Sequence, residues 1–137
     1  MRLPWATTEA GQLRPLILLV DDNDAVIDIY ADYLQHRNYR VALARNGEEA
    51  LQQIYAVQPA VIVLDIQMPS MDGLEATRRI RADPDTGVAA TPIIALTALV
   101  MPGDRERCLA AGMNDYLSKP VDFPRLLAAI EQQLASL

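Results

Sequence analysis

Asp65 ends the apolar run Val61-Ile62-Val63-Leu64, and Asp21 and Asp22 end another, Leu16-Ile17-Leu18-Leu19-Val20. Two further runs end on polar groups of a different kind: Thr97 follows Ile93-Ile94-Ala95-Leu96, and Lys119 follows Tyr116-Leu117-Ser118. Carboxylates brought together repel one another unless a cation neutralises them, and hard oxygen ligands with a few retained waters suit Mg²⁺. Three carboxylates, a hydroxyl and an ammonium around one point would make a phosphoryl-transfer constellation. Taken singly, each residue has a structural reading. A strand-end aspartate can cap the next helix, and Asp22 precedes one. A lone lysine is usually solvated surface. Recurrence at successive strand ends is what selects the chemistry.

Those residues need a scaffold that brings several strand ends to one edge. The run 61–64 is short, β-branched and bounded by Pro59 and Pro69, so it reads as a buried strand. Residues 16–20 and 93–96 read alike, 39–44 alternates as a half-exposed edge strand, and 116–118 is a fifth strand. Between them lie helical patterns. Ala25, Val26, Ile29, Tyr30, Tyr33 and Leu34 recur at helical spacing over 24–37. Asn46 can cap a helix over 47–57 that carries Ala50, Leu51, Ile54 and Tyr55 on one face. Asp72 caps a helix over 73–82, Gly112 stops one over 103–111, and Asp122 caps the last, 123–135. Ala82-Asp83-Pro84-Asp85-Thr86-Gly87 is a breaker cluster and reads as a loop. Strands alternating with helices imply a parallel sheet covered on both faces, with every strand end on one edge.

Composition bounds the function. The 137 residues allow one core, and residues 1–15, with two prolines and no period, read as a flexible extension before a domain over 16–137. About half the residues are apolar and 22% are charged, as in ordinary globular proteins. A net charge of -6 argues against non-specific nucleic-acid binding. No apolar run approaches the roughly 18 residues of a membrane span, and the N-terminus has no secretory pattern. The single cysteine, Cys108, cannot form an internal disulfide, in keeping with a cytoplasmic location.

The chain resembles the receiver domains of two-component response regulators. The matching segments are Val20-Asp21-Asp22, Leu64-Asp65-Ile66-Gln67-Met68-Pro69, Met71-Asp72-Gly73, Ala95-Leu96-Thr97-Ala98 and Ala111 to Pro120, in order along residues 16–136. The resemblance implies a doubly wound α/β fold with the flavodoxin-like strand order 2-1-3-4-5 and helices on both faces. It implies that Asp65 is the phosphoacceptor, taking a phosphoryl group from a sensor histidine kinase or a histidine phosphotransfer protein. Asp22, Asp65 and the backbone carbonyl of Gln67 would bind Mg²⁺, with Asp21 acting indirectly. Lys119 would pair with one phosphoryl oxygen and Thr97 with another, and a cis Lys119–Pro120 bond would aim the lysine. Thr97 and Tyr116 would form the switch. The resemblance also implies a signalling domain that catalyses its own phosphorylation and dephosphorylation rather than an enzyme. Its downstream partner would meet the fourth predicted helix, the fifth strand and the fifth predicted helix, near Arg105, Arg107, Tyr116 and Arg125. Mixed charge there permits a phosphorylation-dependent homodimer. Both a free-standing receiver, favoured by Met1 and the extension, and a receiver of a hybrid kinase, favoured by the Gly112–Pro120 stretch, fit this pattern.

Two positions depart from the simplest family pattern. Gln67 stands where Asn or an acidic residue is common, and Leu99 is apolar where polar residues often occur. Leu99 is expected to screen the phosphoryl group and lengthen its lifetime. Two other functions compete with this reading. A phosphorylation-independent interaction module of the same fold does not require the acidic pair, Asp65, Thr97 and Lys119. An aspartyl phosphohydrolase would need a general acid two residues after the nucleophile, where this chain has Gln67. Met68 and Met71 read as loop packing, His36 as a surface residue at a helix end, and Cys108 as a small packing residue.

Overall fold

A computed structural model of the chain describes residues 14–67, 73–98 and 102–136. Strands β1 (Leu16–Val20), β3 (Val61–Asp65) and β4 (Ile93–Thr97) are buried along their whole length. That is why their sequences are continuous apolar runs and not alternating ones. Successive side chains still point to opposite faces. Leu18, Val20, Ile62, Leu64, Ile93 and Ala95 join one core cluster. Ile17, Leu19, Val61, Val63, Ile94 and Leu96 join the other. The partly exposed strands β2 (Arg40–Ala44) and β5 (Asp115–Ser118) take the two edges. The sheet is parallel throughout, in the order β2-β1-β3-β4-β5.

Helices cover both faces. Helices α2 (Gly47–Val57), α3 (Gly73–Arg81) and α5 (Asp104–Ala111) place Ala50, Ile54, Ala76, Ile80 and Cys108 in the first cluster. Helices α1 (Asp24–His36) and α6 (Phe123–Ala135) place Ala31, Leu34, Leu126, Ala129 and Ile130 in the second. A one-turn helix, α4 (Thr86–Ala89), joins α3 to β4. The topology is that of a doubly wound α/β fold whose strand order reverses between β1 and β3.

Several local expectations change. The buried stripe of α1 is Ile27, Ala31 and Leu34, while Ile29 is 56% exposed and Ala25 is also at the surface. On α2, Tyr55 is 55% exposed and only Ala50 and Ile54 of the expected face are buried. The breaker cluster is not wholly loop. Asp85 accepts hydrogen bonds from the Gly87 and Val88 main-chain N–H groups at 2.9 and 3.3 Å, and this cap starts α4. Asp122 occupies the cap position of α6 but makes no side-chain cap bond. Asn46 does cap α2, accepting from the Glu49 N–H at 2.8 Å. Gly112 ends α5 at φ +112°, where only glycine is comfortable. The Arg81 guanidinium then ties the amino-terminal side of the sheet together through Gly112 O, Ala89 O, Thr91 O and Asn114 Oδ1, all at 2.7–2.9 Å. Asp72, Met68, Met71 and Leu99 lie outside the described residues.

Candidate phosphoacceptor site

Register decides which side chains meet. Val20 pairs with Leu64, so Asp21 and Asp65 follow each other's strand by the same single step. Asp65 aligns with Leu96, and Thr97 with Ser118, so Thr97 and Lys119 continue the same edge. Main-chain bonds extend the ladder past the strands: Asp21 N–H to Ala44 O at 3.1 Å, Ile66 N–H to Leu96 O at 3.0 Å and Lys119 N–H to Thr97 O at 2.7 Å. The site is therefore held by continued sheet pairing rather than by free loops.

Asp21 and Asp65 are each 4% exposed, and Asp22 is at the surface. Carboxylate oxygens of the three lie within 4.8 Å of one another. Asp22 is not the helix cap. Asn23 takes that role, accepting from the Ala25 and Val26 N–H groups at 3.0 and 3.2 Å. Asp21 Oδ1 accepts from the Asn23 N–H at 2.9 Å, and its Oδ2 accepts from Lys119 Nζ at 2.8 Å. Asp65 Oδ1 accepts from the Gln67 N–H at 2.9 Å, and its Oδ2 lies 3.4 Å from Lys119 Nζ. The Lys119–Pro120 bond is cis. Lys119 is the only lysine in the chain, every other basic side chain except His36 being arginine. Its ammonium is a compact point charge on a flexible stem, and it stands 2.8 Å from Asp21 and 3.4 Å from Asp65.

Three carboxylates against one ammonium leave the cluster negative. An ion with oxygen ligands at about 2.1 Å spans oxygens up to about 4.2 Å apart. A spread of up to 4.8 Å therefore fits a small divalent cation held directly by some carboxylates and through water by others. The all-oxygen donor set is compatible with Mg²⁺.

The remaining expected residues are spread around this point. Thr97 is fully buried at the end of β4. Gln67 meets Asp65 through its main chain, and its side chain is exposed. Tyr116 is apart from the carboxylates. Its half-buried ring packs on the α2–α3–α5 core cluster, and its buried hydroxyl has no hydrogen-bond partner among the described residues. Arg105, Arg107 and Arg125 are exposed, and Arg107 pairs with Asp104. Tyr30 belongs to the surroundings of the site although helical spacing alone marked it only as part of an apolar face. Burial raises its pKa, and the nearby Lys119 charge and Val121 main chain lower it. Nothing in the local pattern of α1 signals this, because Val121 and Lys119 are about ninety residues away in sequence.

Burial raises the Asp65 pKa. The Gln67 N–H and the Lys119 ammonium pull it down, and the Asp21 charge pushes it further up. For Lys119, burial works against the ammonium, but the hydrogen bond to Asp21 and the Asp65 charge outweigh it and the pKa rises. A carboxyl whose pKa is raised on folding favours the folded state in its protonated form. That contribution is lost as pH rises from the ordinary value near 4 through the raised one. In metal-free protein at pH 7, Asp65 thus opposes folding, and Asp65→Asn is expected to raise Tm by a few degrees. The gain should shrink as pH falls toward 4. Paired thermal melts with chelator across pH 4–8 would show this, and a lower Tm for the variant at pH 7 would contradict it.

Residues 17–131 match the family profile described as response regulator receiver domain. The polar-differentiation response regulator DivK of Brucella anthropi is 35% identical over 118 residues, covering 86% of this chain and 94% of that one. Among solved structures, the signal receiver domain of a signal transduction histidine kinase from Syntrophus aciditrophicus has a TM-score of 0.81 at 30% identity, covering 90% of this chain and 92% of that one. The Vibrio cholerae chemotaxis protein CheY4 has a TM-score of 0.82 at 30% identity, covering 88% and 99%. The chain belongs to the response regulator receiver domain family. It is a signalling domain of two-component systems, a family whose members work with histidine kinases and phosphotransfer partners. No helix among the described residues is long and apolar enough to cross a membrane.

Proposed function

We propose that the chain is a Mg²⁺-dependent phosphoacceptor that takes a phosphoryl group on Asp65 from a histidine kinase or histidine phosphotransfer protein and then changes its affinity for a partner. One observation carries this reading: a single ammonium stands 2.8 Å from Asp21 and 3.4 Å from Asp65, inside a cluster that also holds Asp22. An Asp65 carboxylate oxygen attacks phosphorus in line with the donor imidazole. The new O–P bond forms an acyl phosphate as the N–P bond breaks, and the electron pair stays on the imidazole. Asp22, Asp65 and the Gln67 carbonyl would hold Mg²⁺, with Asp21 acting through water. The ion supplies neutralisation of the charge on nucleophile and phosphoryl oxygens.

The chain's own groups then share the incoming charge. Lys119 exchanges a carboxylate partner for a phosphoryl oxygen, and the Thr97 hydroxyl donates to a second oxygen. Movement at Thr97 is relayed to Tyr116, whose buried hydroxyl has no hydrogen-bond partner among the described residues. The outcome is read on the face made by α5, β5 and α6, where a downstream protein or a second copy docks. In this reading residues 16–137 are the receiver domain, residues 1–15 precede it as an extension, and the protein acts in the cytoplasm. The domain also hydrolyses its own acyl phosphate, which resets the switch.

Intact mass after incubation with a small phosphodonor and Mg²⁺ tests the reading. One added phosphoryl group, absent in Asp65→Asn and absent with chelator, is expected. No adduct on the unaltered chain, together with no beryllofluoride binding, would leave a phosphorylation-independent interaction module.

A further inference from the structure

Lys119 reaches the carboxylates from the start of the β5–α6 loop, where its main-chain N–H still pairs with Thr97 O at 2.7 Å, and the sheet pairing ends there. Asp122, the residue placed to cap α6, makes no side-chain cap bond. Beyond that pairing, aromatic contacts from α1 meet the chain where the loop enters α6. The Val121 main chain lies close enough to the Tyr30 hydroxyl to lower its pKa against the effect of burial. The Tyr30 ring meets Phe123 edge-on, with centroids 5.6 Å apart and planes at 86°. Tyr33, one turn further along α1, stacks on the other side of the contact, 4.4 Å from Phe123 at 12°. Arg37 lies over the Tyr33 ring at 5.3 Å. Tyr30, Tyr33 and Val121 all pack on the same core cluster.

We propose that Tyr30 is a positioning residue: with Phe123 it clamps the β5–α6 loop to α1 and so sets where the Lys119 ammonium stands over Asp21 and Asp65. The geometry makes this effective. Helix α1 starts at Asp24, directly after the acidic pair, and Tyr30 lies eight residues beyond Asp22. The helix therefore begins just past the acidic pair and carries the clamp about two turns further on. Edge-on and stacked aromatic pairs are directional, so the clamp fixes an orientation as well as a distance. The inference goes beyond the proposed chemistry but rests on the reading of Lys119 as the group that meets the phosphoryl oxygens.

The single lysine makes the test direct. Protein labelled with ¹³C,¹⁵N-lysine gives one lysine side-chain signal, which reports the Lys119 ammonium without any phosphoryl group. Tyr30→Ala is expected to move that signal toward the position of free lysine, and Tyr30→Phe, which keeps the ring and loses the hydroxyl, to move it part of the way. Tyr55→Ala, an exposed aromatic on α2, serves as control and should leave it in place. With a small phosphodonor, Tyr30→Ala should slow Asp65 phosphorylation about tenfold, as a displaced catalytic group does. Mg²⁺ affinity should hold or tighten by up to about twofold, because the carboxylates are untouched and the ammonium is displaced, not removed. Should Tyr30→Ala fail to fold, Tyr30→Phe and Phe123→Leu carry the test. An unchanged lysine signal in the folded variants overturns the clamp, as does a parallel loss of Mg²⁺ affinity, which would place the effect on the acidic pair. Absence of phosphoryl uptake by the unaltered protein would overturn the reading of the site instead, and the lysine signal would still decide the clamp.

Discussion

Lys119→Met is expected to slow phosphoryl transfer to Asp65 by about 100-fold, the loss typical when one preorganised donor to a developing charge is removed. The same change should tighten Mg²⁺ binding, because the ammonium that partly neutralises Asp21 and Asp65 is gone. Opposite signs in rate and metal affinity are the signature of a residue that meets the phosphoryl group and not the metal. Stability moves as well. Lys119 is the partner of two nearly buried carboxylates, and removing one side of such a pair costs about 3 kcal/mol, at the low end of the range because its own side chain is 18% exposed. Added Mg²⁺ should restore part of that loss. Rapid-mixing mass kinetics, titration calorimetry and thermal melts measure the three effects. A rate within threefold of the unaltered protein would remove Lys119 from the chemistry.

Gly73→Ala is the second large effect, and it arises from close backbone approach. A Cβ at Gly73 would lie 2.6 Å from Ile66 Cα and 2.9 Å from the Asp65 carbonyl oxygen. Both are main-chain atoms, so no rotamer relieves the overlap. The end of β3 and the start of α3 touch here, with the Gly73 N–H donating to Ile66 O at 3.1 Å. Separating them is expected to cost about 2–3 kcal/mol, the upper part of the range for overpacking, or roughly a 10 °C fall in Tm. The atoms that must move belong to the residue next to the proposed nucleophile and to the nucleophile itself. Phosphorylation should therefore slow even at temperatures where the variant is folded. Gly87→Ala makes a fair control: its nearest neighbour is a side-chain oxygen of Asp85 at 3.2 Å, and the change should stay within about 1 kcal/mol. Equal melting points for the two variants would show that the β3–α3 contact yields more easily than its geometry implies.

Three of the five strands are legible because they are buried on both faces and appear as unbroken apolar runs with a proline shortly before and an aspartate or threonine after. The site was legible for the same reason. Asp21, Asp22, Asp65 and Thr97 each follow such a run, and parallel strands bring their ends to one edge. Helix phase was less legible. Residues 25–34 contain so many apolar side chains that several stripes fit, and the stripe through Ile29 looked as good as the one through Ile27 until the sheet selected the latter. The α4 turn leaves no clear pattern in the sequence because it depends on one local bond network, with Asp85 as cap, inside a stretch rich in breakers.

Periodicity and chain order were enough to specify a parallel α/β domain with acidic, hydroxyl and ammonium groups at its strand ends, since burial on both faces writes itself directly into residue type. They could not specify which carboxylate meets the lysine, that Asn23 and not Asp22 caps α1, or that Tyr30 reaches the loop of Lys119. Those contacts join residues as far as 98 positions apart. Their distances follow from strand register and from the packing of α1 against α6, which depend on every neighbouring side chain at once and leave no local pattern in the chain.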